Sequence, residues 1–292
     1  MVPQREPNSG AGEAAGRNWR VTLLIDFLCR FSGGLALALC LTSTTLVPGG
    51  FFRVNLLVVL GLATFAGLLA STVGLTTVVW LMVVAAAAAW GGSILMYADR
   101  RHGGLVCCGL AAVCGGLATV LVGDPTTAAS VPRLLSGCLI GLTVNAMLLG
   151  HWYLNAPGMR VDALRRSIDQ TLLAWGLLLA VTLAAVGWQF ATAGSDGTGW
   201  LSRFGAAVAV ASGGRNVGLD QTGLALLWLR WLAGLLGLPV LLVMSRKTLD
   251  IPNTQSATGI LYVACLAVIL GELTAQLLAV PSTVGVAAAL QP

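Results

Sequence analysis

The chain has 292 residues, of which 57% are hydrophobic and only 9% charged, with a mean hydropathy of +0.88. Soluble domains carry about 25% charged residues, so this chain cannot cover a water-facing surface of ordinary composition. Its 16 basic against 11 acidic residues would suggest nucleic acid in a soluble protein. Here the excess falls largely in breaks between apolar runs, where Lys and Arg set orientation and meet anionic head groups.

Apolar runs near the length of a bilayer crossing recur along the chain, which predicts an all-α integral membrane protein of about eight transmembrane helices in one bundle. Residues 1–19 are polar and read as a disordered tail, 20–280 as the polytopic domain, and 281–292 as a second tail. Fifteen of the 16 basic residues are Arg. With the Ala and Gly load, that composition points to a bacterial cytoplasmic membrane. The expected partners are the lipid bilayer and other membrane subunits, with no nucleic acid.

The first span is expected at about Arg20–Val47, with Asp26 and Arg30 one helical turn apart, where opposite charges pair. The second covers about Val54–Ser71, and the third about Leu75–Tyr97, broken by Gly91-Gly92. The fourth, about Leu105–Val122, is rich in small residues, as close helix contacts require. The fifth follows Arg133 and stops at Asn155. On that helix Gly137, Gly141, Asn145, Leu148 and His151 fall within roughly 120° of one another, and the other helices should gather around this face.

Between the fifth and sixth spans, residues 157–170 mix charged and apolar positions and read as a short helix on the membrane surface. The sixth span is about Thr171–Phe190. Residues 191–220 form the one long break, an interfacial or re-entrant segment. The seventh span, about Leu224–Met244, carries Arg230 with Gly223, Gly234 and Gly237 on the same side. The eighth, about Ala257–Val280, carries Thr258, Tyr262, Cys265, Glu272 and Gln276 on a stripe within roughly 80°.

Buried ionisable residues in a membrane face the bundle interior and meet partners. The short connection between spans seven and eight makes them antiparallel neighbours, so Arg230 and Glu272 are expected to pair. With Gln276 and Asn145 they form a candidate intramembrane polar site, and Asp26–Arg30 forms a second candidate pair. His151, Trp152 and Tyr153 admit two readings. They are a contact for haem or a quinone, or simply the aromatic belt at a helix end. The other histidine, His102, stands beside two arginines in a charged loop, which argues against a two-histidine haem.

The seven cysteines lie in apolar runs without metal or redox spacing, as small hydrophobes do. Neither a phosphate loop, a nucleophile elbow nor an acidic metal cluster occurs, so no catalytic residue and no metal ligand is assigned. Two functions remain. One is a transport or small-molecule-handling module built on Arg230 and Glu272. The other is a non-catalytic membrane subunit of a respiratory-type assembly, touching haem or quinone near His151. Orientation signals conflict. Eight basic residues follow the odd-numbered spans and six lie on the opposite side, whereas Arg17 and Arg20 against Arg53 favour the N-terminus inside.

Overall fold

Hydrocarbon offers backbone groups no hydrogen bond, so a crossing segment must satisfy its own, and helices do. The computed structural model describes residues 9–123, 127–155, 160–192, 208, 221–251 and 253–279. Among them are eight helices long and apolar enough to cross a membrane, and no strand. They are α1 (Ser9–Leu41), α2 (Gly49–Thr72), α3 (Thr76–Tyr97), α4 (Arg101–Val122), α5 (Thr127–Asn155), α6 (Asp162–Thr192), α7 and α8 (Thr254–Leu278). Helix α7 runs through three segments, Gln221–Leu229, the π-helical Arg230–Gly237 and Leu238–Thr248. The protein is thus an all-α, multi-pass integral membrane bundle.

Turn chemistry sets several boundaries. Gly74 at φ 75° and Asp99 at φ 55° take the left-handed conformation between α2 and α3 and between α3 and α4. Glycine enters that region freely, and aspartate tolerates it. Asn253 caps α8 by accepting the backbone N–H of Ser256 at 3.0 Å, which satisfies one of the four free N–H groups of a helix start.

Helices α1 and α5 form the centre. In each, 67% of the most apolar window is buried, against 28% in α6 and α7. The face of α5 expected to collect neighbours does so at Gly137, Gly141 and Asn145, but Leu148 is half-buried and His151 exposed. The backbones of α1 and α5 nearly touch. A Cβ on Gly34 would lie 1.8 Å from the Gly137 carbonyl oxygen, and one on Gly141 would lie 2.0 Å from the Gly34 carbonyl carbon. Only glycine permits that approach. The outer surface presents Phe65, Leu68, Trp80, Trp90, Leu173 and many other exposed apolar side chains, as a lipid-facing surface requires.

Several boundaries differ from expectation. Helix α1 begins at Ser9, inside the stretch expected to be disordered, and ends at Leu41 rather than Val47. Helix α3 runs unbroken through Gly91 and Gly92, because one glycine within an otherwise strong helix former costs only about 1 kcal/mol. No separate surface helix precedes α6 among the described residues. Arg165, Arg166 and Asp169 belong to its first turns, and Arg165–Asp250 (3.3 Å) and Arg246–Asp169 (2.9 Å) tie those turns to the end of α7. Residues 193–207 and 209–220 of the long break, residues 1–8 and the tail 281–292 lie outside the described residues.

Candidate functional site

Each polar side chain in the centre of the bundle is placed by a helix that has its own reason to be there. Asp26 and Arg30 stand on the face of α1 that continues to Gly33 and Gly34, so the contact that draws α1 onto α5 carries both charges inward. Arg133 and Ser136 stand on α5, eight and five residues before Gly141. Glu272 and Gln276 occupy the buried stripe of α8, one residue past Gly271 and one turn further on.

These residues converge. The Asp26 carboxylate accepts Arg30 Nη2 at 2.5 Å, Gln276 Nε2 at 2.9 Å, and Nη2 of Arg133. One carboxylate thus binds three donors from three helices, two of them cationic. Arg30 Nη1 reaches Ser136 Oγ at 3.5 Å, and that hydroxyl donates to Glu272 Oε2 at 2.5 Å. On its other side, Glu272 Oε1 lies 3.7 Å from Arg230 Nη1, which also donates to the Gly271 carbonyl at 3.4 Å. The network therefore runs Arg133, Asp26, Arg30, Ser136, Glu272, Arg230, across α5, α1, α8 and α7.

Its depth follows from the helix rise. Asp26, Ser136, Arg230 and Glu272 lie six or seven residues from the ends of their spans at Trp19, Ser130, Gly223 and Leu278. At 1.5 Å per residue, that is about 9–10 Å inside the bundle from the same face. Asp26, Arg30, Arg230 and Glu272 are each at most 8% exposed. Those four charges left alone would cost roughly 10–14 kcal/mol on insertion scales of about 2.5–3.5 kcal/mol each at a helix centre. That is as large as the net stability of an entire domain, about 5–15 kcal/mol, so mutual pairing is a condition of folding.

The pairing leaves a remainder. Three guanidinium groups face two carboxylates. Among the described residues, no hydrogen-bond partner reaches Arg30 Nε, Arg133 Nη1 or Arg230 Nε. Buried donors are normally satisfied, and an excess positive charge with free N–H groups is the electrostatic form of an anion site.

Arg230 opens the π-helical segment, and the sequence explains why the helix widens there. Pro239 has no N–H to give the carbonyl four residues back, and its ring crowds that oxygen. The Leu235 carbonyl so freed accepts Trp175 Nε1 of α6 at 2.9 Å, while the Leu238 N–H reaches back five residues to Ala233. Short π-helical segments occur often at functional sites. The wider turn also keeps Gly234 against Gly271 of α8, where a Cβ on Gly271 would fall 2.5 Å from the Gly234 Cα. Gly237, expected on the same side, instead stands over the Leu232 carbonyl of its own helix.

Other sequence candidates fall elsewhere. Asn145 is fully buried but does not join this network. Its Nδ2 meets Thr42 Oγ1 at 3.1 Å and Ser167 Oγ at 3.3 Å, tying α5 to the turn just after α1 and to α6. His151, Trp152 and Tyr153 point to three separate partners. His151 Nδ1 meets Tyr262 Oη at 3.1 Å on the exposed rim, Trp152 packs edge-on to Phe51, and Tyr153 donates to the Arg160 carbonyl. Tyr262 itself is 45% exposed, so the polar stripe of α8 is interior only at Thr258, Cys265, Glu272 and Gln276. Arg133 was expected as a loop charge and Ser136 was not singled out; both lie in the network.

No family model, curated protein or solved structure matches the chain. Among the described residues, no group of three His, Cys, Asp or Glu side chains is placed to hold a metal.

Proposed function

We propose that the protein is a transport or small-molecule-handling module of a bacterial cytoplasmic membrane that takes an anion at the Arg30–Arg133–Arg230 network. The reading rests on one observation, the surplus of buried cationic N–H groups over the carboxylates that answer them. A phosphate or carboxylate supplies both the missing charge and acceptors for the free donors. The π-helical segment beginning at Arg230 supports it, because a widened turn lets one guanidinium move without unfolding the helix.

The experiment is a thermal-unfolding titration of the full chain in neutral nanodiscs with inorganic phosphate, butyl phosphate and hexanoate. A ligand that binds only the folded state raises the midpoint with concentration. At least one of these anions is expected to do so in the natural chain and to lose most of its effect in Arg133→Gln. If none of the three shifts the midpoint, or the shifts are the same in the variant, the anion reading is wrong.

A further inference from the structure

The arginines at the outer end of this network also close one end of a crevice between α1, α4 and α5. It encloses about 180 Å³ and is lined by Gly33 and Leu37 of α1, Val113 and Gly116 of α4, and Leu134 of α5, with Arg30 and Arg133 at its end. An apolar cavity of about 150 Å³ is enough to hold a benzene-sized hydrocarbon. The distance along α1 from Arg30 to Leu37 is about 10 Å at the helical rise, so the space is elongated as well as apolar.

Its surroundings place the opening. Val113 is 59% exposed and Leu134 37% exposed, both within membrane-spanning windows, so the crevice faces hydrocarbon rather than water. A free anion reaching it from that side would cross lipid unsolvated, at a large electrostatic cost. An anion carried at the end of an alkyl chain keeps its chain in lipid, so only the charged group descends from the head-group level to the arginines. The polar end of the crevice is built to meet such a group. Arg30 is 8% exposed and its Nε has no partner among the described residues; Nη1 of Arg133, also without one, packs against Gly123 at the end of α4.

We propose that this crevice seats an alkyl chain of an anionic amphiphile, with its phosphate or carboxylate on Arg30 and Arg133. The inference rests on the anion reading above and adds the chemical class of the ligand and its route, laterally from the membrane. The walls suit a chain. Gly33 and Gly115 hold α1 and α4 together, with a Cβ on Gly115 meeting the Gly33 Cα at 2.5 Å, so the floor is backbone and does not collapse. Gly116 leaves the space open. A Cβ there meets only Leu134 Cδ2, at an ordinary 3.6 Å, so a side chain at this lining position takes up crevice space.

The test compares binding of dodecyl phosphate, inorganic phosphate and dodecanol to the full chain in neutral nanodiscs, for the natural chain and for Gly116→Ala, Gly116→Leu and Arg133→Gln. Dodecyl phosphate is expected to saturate near one molecule per chain and to bind at least about tenfold more tightly than either fragment. Gly116→Leu should weaken dodecyl phosphate about tenfold while leaving inorganic phosphate unchanged, with Gly116→Ala between the two. Arg133→Gln should weaken both phosphates. Equal affinity for dodecyl phosphate and inorganic phosphate, or no loss in Gly116→Leu, overturns the crevice and leaves the anion site standing. Absence of any Arg133-dependent binding overturns both.

Discussion

Arg133 near the start of α5 donates to Asp26 of α1, a residue 107 positions earlier in the chain. That contact makes the Asp26 carboxylate the acceptor for two arginines at once, and the rest of the buried network hangs from it. Neutralising this carboxylate should therefore cost more than removing any other single charge. In Asp26→Asn, two guanidinium groups remain buried without their counter-charge, and breaking one partner of a buried pair costs about 3–5 kcal/mol. Unfolding in mixed micelles is expected to show a loss of that size. The companion variant Asp26→Asn with Arg30→Gln should recover part of it, since one stranded charge is gone. A loss under about 1 kcal/mol for Asp26→Asn would show that the cluster is solvated.

The two arms of the network differ in tightness, and a double-mutant cycle can read the difference. Asp26 lies 2.5 Å from Arg30 Nη2, whereas Glu272 lies 3.7 Å from Arg230 Nη1. Cycles between contacting residues return about 0.5–3 kcal/mol. Coupling for Asp26→Asn with Arg30→Gln is expected near the top of that range, and for Glu272→Gln with Arg230→Met near the bottom. Equal couplings would mean that Glu272 and Arg230 close onto each other in the bilayer.

Much of this was legible in the sequence, and the remainder was hidden for physical reasons. Eight spans, the Arg230–Glu272 approach and the Asp26–Arg30 turn follow from run length, helical spacing and the rarity of charge in hydrocarbon. Arg133 was misplaced because a charge at the edge of an apolar run reads as a loop residue. The signal was nevertheless there. Carrying the Gly137–Gly141–Asn145 stripe back one turn reaches Arg133, on the face that meets α1. Gln276 was expected beside Arg230 and instead serves Asp26, since spacing along α8 says which face a residue shares but not which neighbour covers it. The widened turn at Arg230 also moved Gly237 off the line that a uniform helix period assigns it.

Glycine substitutions should separate the packing role from mere helix propensity. Gly141→Ala places a methyl 2.0 Å from the Gly34 carbonyl carbon, so α1 and α5 must part and the Asp26–Arg133 contact must stretch with them. The expected result is a severe loss of folded protein. Gly61 and Gly109 have nothing within 4 Å of an added Cβ, and there alanine should stabilise by about 0.5–1 kcal/mol through helix propensity. Midpoints of thermal unfolding for the three variants give the comparison directly. Similar behaviour at all three positions would contradict the close crossing.

The π-helical turn offers a rescue experiment that depends on one carbonyl. Trp175→Phe removes the indole N–H from the Leu235 oxygen, leaving a buried acceptor unsatisfied at a cost of about 1–3 kcal/mol. Pro239→Ala restores a backbone N–H four residues beyond Leu235, which can satisfy the same oxygen from within α7. Combined, the two changes should therefore cost less than Trp175→Phe alone, although each alters a different helix. Pro239→Ala should also draw the segment toward ordinary α-helical winding and shift the Arg230 guanidinium relative to Glu272, so anion affinity should change in that variant even where stability does not. Strictly additive stability effects would show that the Leu235 carbonyl is not what links the two positions.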